Sequence, residues 1–126
     1  MESLSYEECK IFMPIIHEAK CVKVYDGDTF HLGIMLPLPY GATRFSVRLL
    51  GIDTPELRTK DSIEKSLGRE ARDIVKEKIL NKIVHVKASQ YDKYGRLLAR
   101  ITTPSGEDLS QLLIEEKVAV YYDGGK

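Results

Sequence analysis

The chain has 126 residues, 43% hydrophobic and 30% charged, the profile of one soluble globular domain rather than a disordered or fibrous chain. At this length roughly two-thirds of the unfolded surface can be buried, so a core can form without staples. Two cysteines, Cys9 and Cys21, are too few for a disulfide framework and make a reducing compartment the default. Apolar runs such as Ile11 to Ile16 fall far short of the ~20 residues a membrane-crossing helix needs. Glu2, Glu7 and Glu8 stand where a secretory leader would be basic, so no membrane and a cytoplasmic location are expected.

Net charge is zero, from 19 basic and 19 acidic residues, yet the charges are unevenly laid out. Residues 1–20 hold 2 basic and 4 acidic groups, residues 107–126 hold 2 and 5, and residues 21–106 hold 15 and 10. A basic middle between acidic ends suits a polyanion at one face.

No repeat, low-complexity stretch or linker divides the chain. Residues 19–24 and 29–36 read as strands, with Val22, Val24, Phe30, Leu32 and Ile34 alternating. Between them Tyr25-Asp26-Gly27-Asp28 carries the Asp-Gly hairpin signal. Pro37, Pro39 and Gly41 mark a loop over 37–43, and 44–52 reads as a third strand ended by Pro55. A helix follows: Asp61 and Glu64 have capping-box spacing, and Ile63, Leu67, Ala71, Ile74, Val75 and Ile79 recur at helical intervals. Residues 57–67, overlapping its start, are expected to form a surface loop whose Arg58, Lys60 and Lys65 either steer nucleic acid inward or are simply solvated. Residues 82–90 and 96–103 form a second hairpin around a turn ending in Gly95, and a second helix over about 108–117 buries Leu109, Leu112 and Leu113. Five short strands with an inserted helix are compatible with a small oligonucleotide-binding (OB) type barrel.

Polar groups gather where these strands end. Asp28 and Asp53 offer hard anionic oxygens suited to Ca²⁺ or Mg²⁺ rather than Zn²⁺. Arg48 and Arg96 offer planar forks that match phosphate oxygens, and Glu56 is placed to orient or deprotonate a water. Each alone has an ordinary explanation as a turn residue, strand terminator or surface ion. Together they describe phosphodiester hydrolysis, whose charge-rich transition state cations and arginines stabilise beyond the ground state.

The ordered segments YDGDTFHL, VRLLGIDTPE, LGREA and YDKYGRLLARI resemble the staphylococcal (thermonuclease) nuclease family over about residues 20–122. The resemblance implies an α+β fold, a five-stranded OB barrel with helices, spanning residues 19–126 after an N-terminal extension of residues 1–18. It implies Ca²⁺ bound through the carboxylates of Asp28 and Asp53 and the main-chain oxygen of Thr54. Arg48 and Arg96 would then hold the scissile phosphate, Glu56 would serve as general base or orient water, and Lys93 and Tyr94 would contact a terminal phosphate. The implied activity is a Ca²⁺-dependent nuclease on DNA, RNA or both, a monomer, in which the 5′-oxygen leaves and 3′-phosphate ends remain. Tyr121 and Tyr122 lie near the family's base-pocket tyrosines, but the register is not fixed. The alternatives are a non-catalytic module holding single-stranded nucleic acid or protein, and a metal-stabilised structural domain.

Other groups point nowhere so specific. Cys9, His17 and Cys21 lack a CxxC pair and a fourth zinc ligand, and whether Cys9 and Cys21 pair is open. His31 and His85 alternate with apolar residues on strands, as an outward face requires. No P-loop, HExxH or GxSxG pattern occurs.

Overall fold

A computed structural model describes residues 1–12 and 15–122. Residues 123–126, counted in the domain above, and 13–14 of the extension lie outside the described residues. The strands β1 (Glu18–Val24), β2 (Thr29–Leu36), β3 (Gly41–Leu49), β5 (Ile83–Tyr91) and β6 (Leu97–Thr102) close a barrel in the order β1-β2-β3-β6-β5. A two-stranded sheet joins β4 (Ile52–Asp53) to β7 (Val120–Tyr121), and helices α1 (Ser62–Ile79) and α2 (Leu109–Glu115) complete the fold. This is the OB-type α+β architecture expected from the element order.

The barrel follows from the alternation. Phe30 and Leu32 of β2, Val47 and Leu49 of β3, Val84 of β5 and Leu97, Ala99 and Ile101 of β6 are buried. Ala71, Val75 and Ile79 of α1, with Leu109 and Leu113 of α2, meet the same core. Each large side chain of this set contributes about 1.5–3 kcal/mol by leaving water. Four barrel seams are antiparallel; β3 and β6 run parallel, pairing Val47 with Leu97, Arg48 with Leu98 and Leu49 with Ala99. That seam brings the end of β3 beside the start of β6, so residues about fifty apart in sequence become neighbours.

Several boundaries differ from expectation. The loop over 37–43 shrinks to a turn over 37–40, because β3 begins at Gly41, which pairs with Leu36. The third strand stops at Leu49 instead of 52, since Gly51 adopts φ +89° and turns the chain into the separate β4. Within α1, Ile63 and Leu67 are exposed rather than core. The buried stripe is Gly68, Ala71, Val75 and Ile79, and the first turns overhang the loop after β4 instead of the barrel. Lys65 therefore sits on α1, and only 57–61 of the expected loop lies outside the helix. The Asp61 carboxylate caps α1, accepting from Ile63 N at 2.9 Å and Glu64 N at 3.2 Å.

Cys9 is exposed, Cys21 is buried, and both thiols are free. His85 faces outward, 3.7 Å from Glu18. Among the described residues no helix is long and apolar enough to cross a membrane.

Candidate active site

Three chain segments converge at one end of the barrel. The β1–β2 turn supplies Asp28, the end of β3 with β4 supplies Arg48, Asp53, Thr54 and Glu56, and the β5–β6 turn supplies Lys93, Tyr94 and Arg96. All eight line a single cleft of about 690 Å³, shared with Asp26, Tyr91 and Tyr122 among others.

The β1–β2 turn is built by its own side chains. Asp26 Oδ1 accepts from Asp28 N at 3.1 Å and Thr29 N at 2.8 Å, an Asx-type closure. Asp28 is thereby driven inward and is 7% exposed, with its main-chain oxygen accepting from Leu49 N at 2.8 Å. Its carboxylate accepts from Thr29 Oγ1 at 3.1 Å and from Thr54 N at 3.2 Å, and lies 3.5 Å from Arg48 Nη1. Burial opposes this charge, but the neighbouring Asp26 carboxyl, Arg48, the Thr54 N–H and Asp53 outweigh it and hold Asp28 below the usual carboxylate range.

Its neighbours carry the opposite consequence. Burial, then the adjoining Asp28 carboxylate, lifts Asp26 to about 7. Burial and Asp28 likewise raise Asp53, against the pull of Arg48. Like charges are crowded here, and that crowding favours the protonated form of Asp26 and of Asp53.

Arg48 sits between the carboxylates. Its Nη1 donates to the Leu49 and Ile52 carbonyls at 2.9 Å each, and its Nη2 donates to Asp53 Oδ1 at 3.4 Å. The guanidinium carbon lies 5.7 Å from the Tyr122 ring centre. With its side chain only 12% exposed, Arg48 is held in place before any ligand arrives. Arg96 is aimed differently: its Nε donates to Asp92 Oδ2 at 2.7 Å and its Nη1 to Thr29 Oγ1 at 3.2 Å. Asp92 also accepts from the main-chain N–H groups of Tyr94 and Arg96, both at 2.9 Å, which shapes the turn around Gly95. Burial acts against the Asp92 charge, but these bonds prevail and keep its carboxyl below the ordinary range. Lys93 Nζ and the Arg96 guanidinium both approach the exposed Tyr94 ring, at 5.2 and 5.3 Å.

Glu56 is exposed at the rim, its main-chain N–H donating to Glu64 Oε2 at 3.3 Å. Asp26 was not assigned to the cleft from sequence, and Tyr122 was left without a fixed register. Asp26 had the signature of an ordinary turn residue, and only its second carboxylate neighbour two positions on hints at more. Tyr122 follows β7, and its N–H donates to Gly51 O at 3.0 Å, which brings the ring over the cleft; no periodicity marks it. Tyr121 points away, its hydroxyl donating to Gln111 Oε1 at 3.4 Å.

The donor set suits a hard divalent cation in kind, since Asp28 and Asp53 offer oxygens from either side of one guanidinium. Among the described residues, however, no group of three or more His, Cys, Asp or Glu side chains is arranged to hold a metal ion. A cation here would draw further ligands from main-chain oxygen, water or substrate, which the six to eight positions of a Ca²⁺ shell permit.

Comparison with known proteins gives this arrangement a context. The chain is 29% identical over 104 residues to an uncharacterised endonuclease of Escherichia coli, covering 82% of this chain and 60% of that protein. It is 34% identical over 97 residues to a probable endonuclease of Kluyveromyces lactis, covering 71% of this chain and 36% of that one. A further relative, an uncharacterised protein of Methanocaldococcus jannaschii, is 30% identical over 131 aligned positions, covering 86% and 60%. The chain thus spans about 60% of the length of the E. coli relative. Residues 46–125, from Arg48 through Arg96 to Tyr122, match the family described as staphylococcal nuclease homologue, and the chain belongs to that family.

Proposed function

We propose that the protein hydrolyses phosphodiester bonds of DNA, RNA or both in a Ca²⁺-dependent reaction, as a monomer, leaving 3′-phosphate ends. The observation that carries this reading is the convergence of Asp28, Arg48, Asp53, Glu56 and Arg96 on one cleft. A purely nucleic-acid-binding face gains little from a carboxylate pair that repels phosphate.

Each side chain then has a role set by its surroundings. Asp28 and Asp53, with the main-chain oxygen of Thr54, hold the cation, which supplies Lewis-acid stabilisation of charge on the phosphate. Arg48 and Arg96 flank the phosphate; being anchored by carbonyls and by Asp92, they need little reorganisation to receive it. Glu56, free at the rim, orients or deprotonates the attacking water. Lys93 and Tyr94 take a neighbouring terminal phosphate. The domain carrying this chemistry is residues 19–126.

The test is digestion of single-stranded and plasmid DNA, and of RNA, by purified protein with Ca²⁺, with Mg²⁺ and with chelator. The expected result is Ca²⁺-dependent cleavage that Glu56→Gln reduces by about 100-fold or more, with Ca²⁺ affinity little changed. Unchanged turnover in this variant removes Glu56 from the mechanism. DNA bound in a shift assay but uncut under every metal would establish the binding module instead.

A further inference from the structure

The first turns of α1 lie directly against the loop that carries Glu56. Besides the bond from Glu56 N to Glu64 Oε2 at 3.3 Å, the loop backbone and the Leu57 side chain press against the bare Gly68. A Cβ at Gly68 would stand 2.8 Å from Pro55 O and 3.2 Å from Glu56 O, so no side chain fits between helix and loop. Farther along, a Cβ at Gly27 would stand 2.8 Å from both the Ala71 Cβ and the Thr54 Cγ2, so the β1–β2 turn rests on the same helix. Glu64, Gly68 and Ala71 share one helical face by their i, i+4, i+7 spacing.

Glu64 also breaks the pattern its position predicts. At the third helical position a capping-box glutamate returns to the N-cap N–H. Here the Asp61 N–H donates instead to Thr59 Oγ1 at 3.2 Å, and the Glu64 carboxylate is turned to a residue eight positions earlier. The helix is capped by Asp61 alone, so the Glu64 contact serves the loop and not the helix.

We propose that Glu64 is a positioning residue, whose carboxylate ties down the Glu56 main chain and so sets where the Glu56 side chain stands in the cleft. This rests on the role given to Glu56 above. The bond needs an acceptor oxygen, not a charge, which separates Glu64→Gln from Glu64→Ala.

The experiment compares these two variants of the full chain with wild type, by steady-state kinetics on DNA with Ca²⁺ and by amide exchange of the Glu56 N–H in NMR. Glu64→Ala is expected to lower kcat by about 10-fold or more through misplacement of the general base, with KM changed by less than about twofold. Glu64→Gln, whose amide oxygen accepts the same bond, is expected to restore most of kcat. Exchange at Glu56 should quicken in Glu64→Ala and stay slow in Glu64→Gln. An unchanged kcat in Glu64→Ala, equal losses in both variants, or a parallel rise in KM would overturn the proposal. If wild type cleaves nothing, the nuclease reading fails on its own. The exchange rates then decide whether the tether exists: quickened exchange in Glu64→Ala supports it, and unchanged exchange overturns it.

Discussion

The Asp26 carboxyl is raised to about 7 by burial and by the adjoining Asp28, far above the ordinary value of 3.8. The native state therefore holds this proton more tightly than the unfolded chain does. The stability it contributes is complete below pH 3.8 and is lost as pH rises through about 7. Asp26→Asn keeps an acceptor for the Asp28 and Thr29 N–H groups while removing the charge. It is expected to raise the melting temperature most at pH 8, less at pH 5 and little at pH 3.5, in melts without divalent cations. Equal shifts at all these pH values would show that Asp26 does not carry the proton. The arginines give a sharper result, because a lysine ammonium cannot reproduce a fork already seated on two carbonyls or on Asp92. Arg48→Lys and Arg96→Lys are each expected to lower kcat/KM by roughly 100-fold, and full rates in both would end the phosphate-clamp assignment.

Among the elements, α1 is the platform on which the site loops rest, and its small residues are the reason they come so close. Gly27→Ala places a methyl group against Ala71 and Thr54 with no room to receive it. The expected cost is about 1–3 kcal/mol of stability from overpacking, read by urea denaturation; a variant as stable as wild type would mean that the turn can lift off the helix. The strands were legible because Phe30, Leu32, Val47 and Leu49 alternate, and the first turn because Asp-Gly closes it. The placement of α1 was less so. Ile63 and Leu67 fit the helical period but fall on turns that overhang a loop, and an apolar period cannot tell which end of a helix finds the core. The two-residue β4 and β7 carry no period at all, so Tyr122 could not be registered. The eight cleft-lining residues were picked out because their segments resemble a known family; the approach of Arg96 to the Asp28–Arg48 group was not legible, since it depends on the parallel β3–β6 seam.

For the whole molecule, the same seam makes ligand binding and stability one equilibrium. A ligand that spans Asp28, Arg48 and Arg96 grips three segments of the barrel at once and binds only the folded chain. Ca²⁺ with a nucleotide bisphosphate is expected to raise the melting temperature, by about 2.7 kcal/mol of stability when free ligand stands at 100 times its dissociation constant. Calorimetry with either ligand alone and with both checks this, and no shift at saturation would count against an assembled site.

The late arrival of β6 and Tyr122 at the cleft has a consequence for synthesis. A ribosome extruding this protein releases Asp28, Arg48, Asp53 and Glu56 well before Arg96, and Tyr122 later still. The parallel seam has no second strand until β6 emerges. Until then a nascent chain carries Asp28, Asp53, Glu56 and Arg48 with no closed barrel to set them. Whatever activity the cleft has can therefore begin only after β6 has emerged and closed the barrel.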